Sequence, residues 1–358
     1  SSGLADATGL FLTAATSVRF LPAANYNGIP GSLTVRLADN SISAPNNGST
    51  VNVSGSNNGG TTAYSSATVS LGTSINAVQD APVLSGGGTL PAVNEDTSSP
   101  AGAALSSLGI TATDVDTGGS IVGYAIVANA ANAATQGVWQ YSTNSGTNWF
   151  AIGTVSDGST ALALSAATLV RFVPVANFNG APSSLTIRAL DNTYGSSFST
   201  TAGSEARVTV NTTTTGTTTA ISAATATVAT SINADNDAPV ASGSATLTAV
   251  NEDTASPAGS TVSTLFSSNF SDSTDTVSGG SSANSLLGVV ITANAATAAQ
   301  GTWQWLNGST WTDISTSLTD ATGLFLTAAT SVRFLPAANY NGTPGSLTVR
   351  LADNSISA

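Results

Sequence analysis

The sequence predicts an all-β chain of tandem β-sandwich repeats with a period of about 157 residues. Three observations predict it. The chain copies itself: residues 6–44 return at 320–358 with one change, Ile29 against Thr343, and a divergent copy, ALSAATLVRFVPVANFNGAPSSLTIRALDN, fills 163–192. Junction marks recur at one spacing, DAPV at 80 and 237 and NEDT at 94 and 251, both 157 residues apart. Short β-branched stretches alternate with Gly, Asn and Pro turns, and no helical period is sustained.

These marks divide the chain into residues 1–79, the C-terminal part of a first repeat; 80–236, a complete second repeat; and 237–358, the N-terminal and middle part of a third. The chain therefore reads as a window on a longer array. Within a repeat, GVWQYSTNSGTNWFAIG (137–153) alternates Trp139 with Tyr141, turns at Asn144-Ser145-Gly146 and returns through Trp149, a hairpin pattern. GTWQWLNGSTWTDI repeats it around Asn307-Gly308. TLVRFVPV, SSLTIRAL and TATVATSI are further strands, separated by turns such as NFNGAP. The tract NTTTTGTTTA (211–220) is compatible with an extended hairpin, a glycosylated loop or a lateral contact.

Composition excludes several chemistries. The 358 residues carry 19 acidic groups against 7 arginines, a formal charge of −12, and no Lys, His, Cys or Met. Without Cys and His there is no thiolate nucleophile, no Ser-His-Asp relay and no ordinary zinc site; without Lys there is no Schiff base. An acidic chain lacks the clustered bases that nucleic acid demands. The hydrophobic fraction of 41% is too high for a disordered chain. No apolar run reaches the roughly 20 residues of a membrane-spanning helix. SSGLADATGL has neither a charged n-region nor a long apolar h-region, so no signal peptide is visible. Low charge with abundant Thr and Asn nonetheless fits a secreted bacterial β-protein.

Against that uncharged background, SINADNDAPV (231–240) crowds Asn233, Asp235, Asn236 and Asp237 ahead of Pro239. Two nearby carboxylates repel by ~4 kcal/mol at an effective dielectric near 20, a cost met by a cation or by exposure to water. Calcium takes six to eight oxygens from carboxylates, amides, carbonyls and water, and this cluster sits where one repeat gives way to the next. Asp114 and Asp116 follow a strand 34 residues after Asp80; Asp272 lies 35 residues after Asp237. Glu95 and Glu252 each lie 15 residues after a junction Asp, and Asp191, Asp39 and Asp353 end the strands of TIRALDN type. The rival reading is local: Asp and Asn make Asx-turns without any metal. DVDTGG is no EF-hand, because the twelfth position from Asp114 is Ala125.

In their order and spacing these motifs resemble bacterial cadherin-like repeats, the modules of large secreted adhesins and calcium-dependent surface proteins. That family carries a D-x-N-D-N-A-P linker, an early glutamate, an A-T-D-x-D loop and an A-x-D strand end; here the linker reads NADNDAP. The resemblance implies an Ig/cadherin-like sandwich and a calcium (Ca2+) site at each junction. At the second junction it implies Glu95, Asn233, Asp235, Asn236, Asp237, Asp272, Asp275 and Asp353 as ligands. At the first it implies Asp80, Asp114, Asp116 and Asp191, with lower affinity, because Val78 and Gln79 replace Asp235 and Asn236. A unit of about 157 residues exceeds an ordinary cadherin domain, so extra strands or long loops are expected.

Other recurring residues have structural readings. Trp139, Tyr141, Trp149, Trp303, Trp305 and Trp311 fit a core or cross-strand pairs better than a sugar-stacking face. Arg19, Arg171 and Arg333, with Arg36, Arg188 and Arg350 on the following strand, fit ion pairs or backbone binding. The expected function is an extracellular, cell-surface adhesin stalk or fibre, stiffened by calcium between adjacent repeats and without catalytic activity. The alternative is a self-assembling filament, sheath or biofilm matrix, because uncharged strands lack edge gatekeepers. A carboxylate-pair glycosidase ranks last, since the acids recur at junctions rather than forming one pair.

Overall fold

The computed structural model describes residues 3–41 and 43–355. The protein is mostly strand, and the sequence-derived segments each hold their own sheets. Residues 1–79 carry β1 (Gly9–Leu10), β2 (Leu33–Val35), β3 (Thr50–Val51) and β4 (Val69–Leu71), paired as β1–β3 and β2–β4. Residues 80–236 carry β5 (Val83–Gly86), β6 (Gly88–Thr89), β7 (Val93–Asn94), β8 (Ala103–Ala104), β9 (Thr111–Thr113), β10 (Ile121–Asn129) and β11 (Gly137–Ser142). They continue with β12 (Phe150–Ala151), β13 (Ala161–Ser165), β14 (Leu169–Pro174), β15 (Leu185–Asp191), β16 (Thr209–Val210), β17 (Ala226–Ala229) and β18 (Ile232–Asn233). Residues 237–355 carry β19 (Val240–Ala241), β20 (Ser260–Thr261), the short helix α1 (Val262–Phe266), β21 (Phe270–Ser271) and β22 (Leu286–Asn294). The last strands are β23 (Gly301–Asn307), β24 (Thr310–Asp313), β25 (Leu324–Thr327), β26 (Ser331–Pro336) and β27 (Leu347–Asp353).

In the second segment a six-stranded sheet, β16-β13-β10-β15-β17-β6, and a four-stranded sheet, β12-β11-β14-β8, share one core. The period-2 alternation of β10 explains it: Tyr124 and Ile126 face Trp139, Tyr141, Val170 and Phe172 of the smaller sheet. Trp139 is fully buried, edge-on to Phe172 at 5.2 Å, with its indole N–H donating to the Ser183 carbonyl. The hairpin read from sequence forms, with Tyr141 opposite Phe150. The intervening residues Ala125 and Val127 point the other way, into a second cluster with Leu190, Val210 and Ile221, packed by Tyr194 and Phe198. Tyr194 and Phe198 thus lie over the outer face of the larger sheet, while the rest of residues 192–225 extends it, with β16 beside β13 and residues 220–222 beside β15. That accounts for the length of the repeat. The threonine tract closes there as a tight turn, with the Gly216 N–H donating to the Ile221 carbonyl and Thr217 in the left-handed region.

The third segment repeats the centre of both sheets. Its β25-β22-β27 matches β13-β10-β15, and β20-β26-β23-β24 matches β8-β14-β11-β12. Even the irregularities recur: β10–β15 shifts register at Ile121/Gly123 and Ile126/Ala128, and β22–β27 at Leu286/Gly288 and Ile291/Ala293. The first segment shows what this packing contributes. Residues 6–44 are nearly identical to 320–358, yet Val18 and Phe20 are exposed while their counterparts Val332 and Phe334 are buried. The difference is context. Val332 and Phe334 lie against β23, and no such strand flanks residues 6–44 among the described residues.

The arginines have structural work. Arg171 lies 4.1 Å over the Trp149 ring and donates to Gln140 Oε1 (2.8 Å) and the Pro100 carbonyl (3.0 Å), pinning the 99–102 segment to β14. Arg333 repeats this with Trp311, Gln304 and Pro257. Arg36, Arg188 and Arg350 pair with Asp6, Asp157 and Asp320. Arg171→Lys is expected to destabilise the second segment by ~1–2 kcal/mol, because an ammonium cannot stack and reach both acceptors. Arg350→Lys, on the surface, is expected to shift the urea midpoint less.

Candidate metal centre at the segment junctions

The second junction is assembled by a parallel pairing. β18, leaving the second segment, runs beside β7 near its start, with Ile232 opposite Val93 and Asn233 opposite Asn94. This brings the glutamate after β7 against the linker: the Glu95 N–H donates to the Asn233 carbonyl (2.9 Å), and the Asp235 N–H donates to Glu95 Oε1 (2.6 Å). Asn179 holds the other carboxylate oxygen, Oε2, at 2.9 Å. Beyond the linker, the Asp237 N–H donates to Asp275 Oδ1 (3.0 Å), and the Asn284 N–H donates to Asp272 Oδ2. Asp353, opposite Leu286 at the end of β27, completes the group.

Glu95, Asp272, Asp275 and Asp353 are all buried, and none is paired with an arginine. Burial raises the Asp237 pKa, and the charges of Asp275, Asp96, Glu95 and Asp272 raise it further. Burial also raises that of Asp272; the Asn284 N–H opposes the rise, while Asp275 and Asp353 add to it. Asp272 Oδ1 is buried with no hydrogen-bond partner. An unpaired buried carboxylate costs several kcal/mol, so this oxygen is the point at which the junction lacks positive charge. The donor set is all oxygen, with no soft ligand, which suits calcium over a transition metal. The fit is one of chemistry. Among the described residues no three His, Cys, Asp or Glu side chains form a ready-made group that could hold a metal ion. Backbone N–H groups hold the carboxylates in place individually.

The first junction has the same frame. The Asp80 N–H donates to Asp116 Oδ2 (2.9 Å), the Asp116 N–H donates to Asp114 Oδ1 (2.9 Å), and Asp114 Oδ2 is buried and unpartnered, as Asp272 Oδ1 is. One substitution changes its electrostatics. Gln79 reaches Asp191 with its amide (2.9 Å), placing a neutral donor on that carboxylate. Gln79 and Asn236, in the equivalent place, both donate to the carbonyl of the Asp that follows, but Asn236 makes no bond to an aspartate side chain and accepts from Asn284. The threonine turn also docks here, the Thr217 carbonyl accepting from the Ala81 N–H (2.7 Å).

The sequence-derived residues thus fall into two groups. Glu95, Asp237, Asp272, Asp275 and Asp353 converge at one junction, and Asp80, Asp114, Asp116 and Asp191 at the other. Asn233 and Asp235 serve the frame: their side chains bond Asn94, and their backbone groups position Glu95. Sequence reasoning missed Asp96, Asn179, Ser281 and Asn284. Asp96 sits at φ 61° and accepts from the Asn177 N–H, and Asn179 bridges to Ser281 of the next segment. The recurrence of NEDT and of N-x-N-G was the available signal for Asp96 and Asn179. A β-carbon on Gly280 would lie 2.1 Å from Asn179 Oδ1, so the two segments touch there through glycine.

No protein-family model matches this chain, and no curated protein matches it.

Asp272→Asn is expected to act with opposite signs in two conditions. In chelator it removes an unpartnered buried charge and leaves the melting temperature unchanged or higher. In calcium it lowers affinity at the second junction by about tenfold or more, read by calorimetric titration. The same titration on the intact chain is expected to resolve two site classes, with the Gln79 junction weaker and Gln79→Asn moving it toward the stronger.

Proposed function

We propose that this chain is part of an extracellular structural or adhesive array, a stalk of Ig/cadherin-like β-sandwich repeats whose junctions calcium stiffens. The observation that carries the reading is the buried, unpartnered oxygen of Asp272 among like charges at a segment junction, repeated at Asp114. Two sheets sharing one core in residues 80–236, and the recurrence of their central strands and bulges in residues 237–355, support the repeat architecture. Glu95, Asp237, Asp272, Asp275 and Asp353 would hold the ion at the second junction, and Asp80, Asp114, Asp116 and Asp191 at the first. The ion would supply charge neutralisation and a common anchor for groups from two segments. No catalytic role is needed: the recurring acids belong to the junctions, and the recurring arginines and tryptophans build the core and its borders. Partners of this reading are the adjacent repeats, with no nucleic acid. Among the described residues no helix is long and apolar enough to cross a membrane.

The energetic logic is one of differential binding. A cation that binds the stiff arrangement and not the bent ones shifts the population by its differential affinity. Small-angle scattering of the monomeric chain is expected to show a longer maximum dimension in calcium than in chelator. Superimposable curves would remove the stiffening claim.

A further inference from the structure

The second and third segments carry the same loop at different lengths. It runs from the aspartate that accepts the linker N–H to the strand that pairs with the closing aspartate: Asp116 to Ile121 in the second, Asp275 to Leu286 in the third. The second spans this distance with four residues, TGGS (117–120), and the third with ten, TVSGGSSANS (276–285). The extra length reaches across the seam into the second segment.

Three contacts carry it there. Val277 packs against the hydrophobic core of the second segment, although it belongs to the third. The Ser281 N–H donates to Asn179 Oδ1 (2.6 Å) and Asn179 Nδ2 donates to Ser281 Oγ (2.8 Å), a two-bond clasp on a buried side chain. Gly180 lies against the Gly279-Gly280 pair. A β-carbon on Gly180 would stand 2.8 Å from the Gly279 carbonyl oxygen, and one on Gly280 would stand 2.1 Å from Asn179 Oδ1. Backbones approach this closely only where no side chain intervenes.

Both halves of the contact are held in shape on their own side. The loop closes on itself, with the Val277 N–H donating to the Ser281 carbonyl (3.1 Å), the Gly280 N–H to the Val277 carbonyl (3.0 Å), and Gly279 in the left-handed region. Across the seam, Gly180 and Ile232 exchange both backbone hydrogen bonds, each 2.8 Å. Partners already in shape lose little freedom on docking. Apart from the bond of Asn179 to Glu95, none of these contacts involves an acidic side chain. The short loop of the second segment lacks the means: TGGS holds no apolar residue to match Val277. A β-carbon on its Gly119 would meet Asp114 of its own segment, 2.5 Å from Cγ.

We propose that residues 276–285 are a latch that docks the third segment onto the second without any metal ion. This seam is rigid in chelator and in calcium alike. The acids around Asp272 sit on a frame already assembled, and the change of length expected on chelation falls to the first junction. The latch acts in chelator, so it stands or fails separately from the calcium reading.

The test measures, on the full chain in chelator, the distribution of distances between two nitroxide labels across the seam, by pulsed dipolar spectroscopy. The chain has no cysteine. Thr147→Cys and Ser309→Cys, at exposed turns of the β11–β12 and β23–β24 hairpins, therefore take the labels alone. The doubly labelled chain is expected to give one narrow distribution that calcium leaves unchanged. Adding Gly280→Val is expected to broaden it about twofold or more. The three atoms nearest the new β-carbon all belong to Asn179, and Gly280 lies outside the left-handed region, so the substitution opposes docking and not the loop itself. Replacing residues 276–285 by TGGS, the loop that the same frame carries in the second segment, is expected to broaden the distribution likewise. A distribution that stays narrow in either variant would overturn the proposal, as would a parent already broad in chelator. So would a parent that narrows only with calcium, which would assign the docking to the acids instead.

Discussion

The constraint on which the structure turns is negative charge held out of water at the seams between segments. Glu95, Asp272, Asp275 and Asp353 are buried around Asp237 with no arginine among them. Each is held by a backbone N–H or a neutral side chain, which fixes position without cancelling charge. A fold that only needed to join two sheets would place Asn or Thr there. Retaining carboxylates is stabilising only with a positive partner, and the chain's seven arginines leave the seams without one.

The arginines are used elsewhere, and consistently. One set lies over Trp149 and Trp311 and captures a proline carbonyl; another pairs with surface aspartates. Each interaction recurs with the repeat, so these belong to building the unit. The seams are different. Gln79 at one donates to Asp191, a contact to a carboxylate that Asn236 at the other does not make.

Much of this was legible in the sequence because it is local or periodic. The hairpins at Trp139 and Trp303 follow from alternation and turn residues. The association of Glu95 with the linker, far off in the chain, was an implication of the family resemblance, and the parallel pairing of β18 with β7 sets the two side by side. What was not legible depends on tertiary context. Nothing in residues 192–198 signals that Tyr194 and Phe198 cover the outer face of the β10 sheet, since both are isolated in polar sequence. Asn179 and Asn284 read as ordinary turn residues until the fold sets them against Glu95 and Asp275. Residues 6–44 read as strands, but strand formation there depends on neighbours, as the better-ordered pairing of their copy at 320–355 demonstrates. An unpartnered oxygen cannot be read from sequence at all, because it is defined by what does not approach it.

The most direct measurement is an anomalous difference map of the second junction from crystals grown in millimolar calcium. The account predicts one compact peak among oxygens of Glu95, Asp237, Asp272, Asp275 and Asp353, with Asp272 Oδ1 among its ligands. Ordered water alone in that space, with Asp272 Oδ1 hydrogen-bonded to it, would contradict the account.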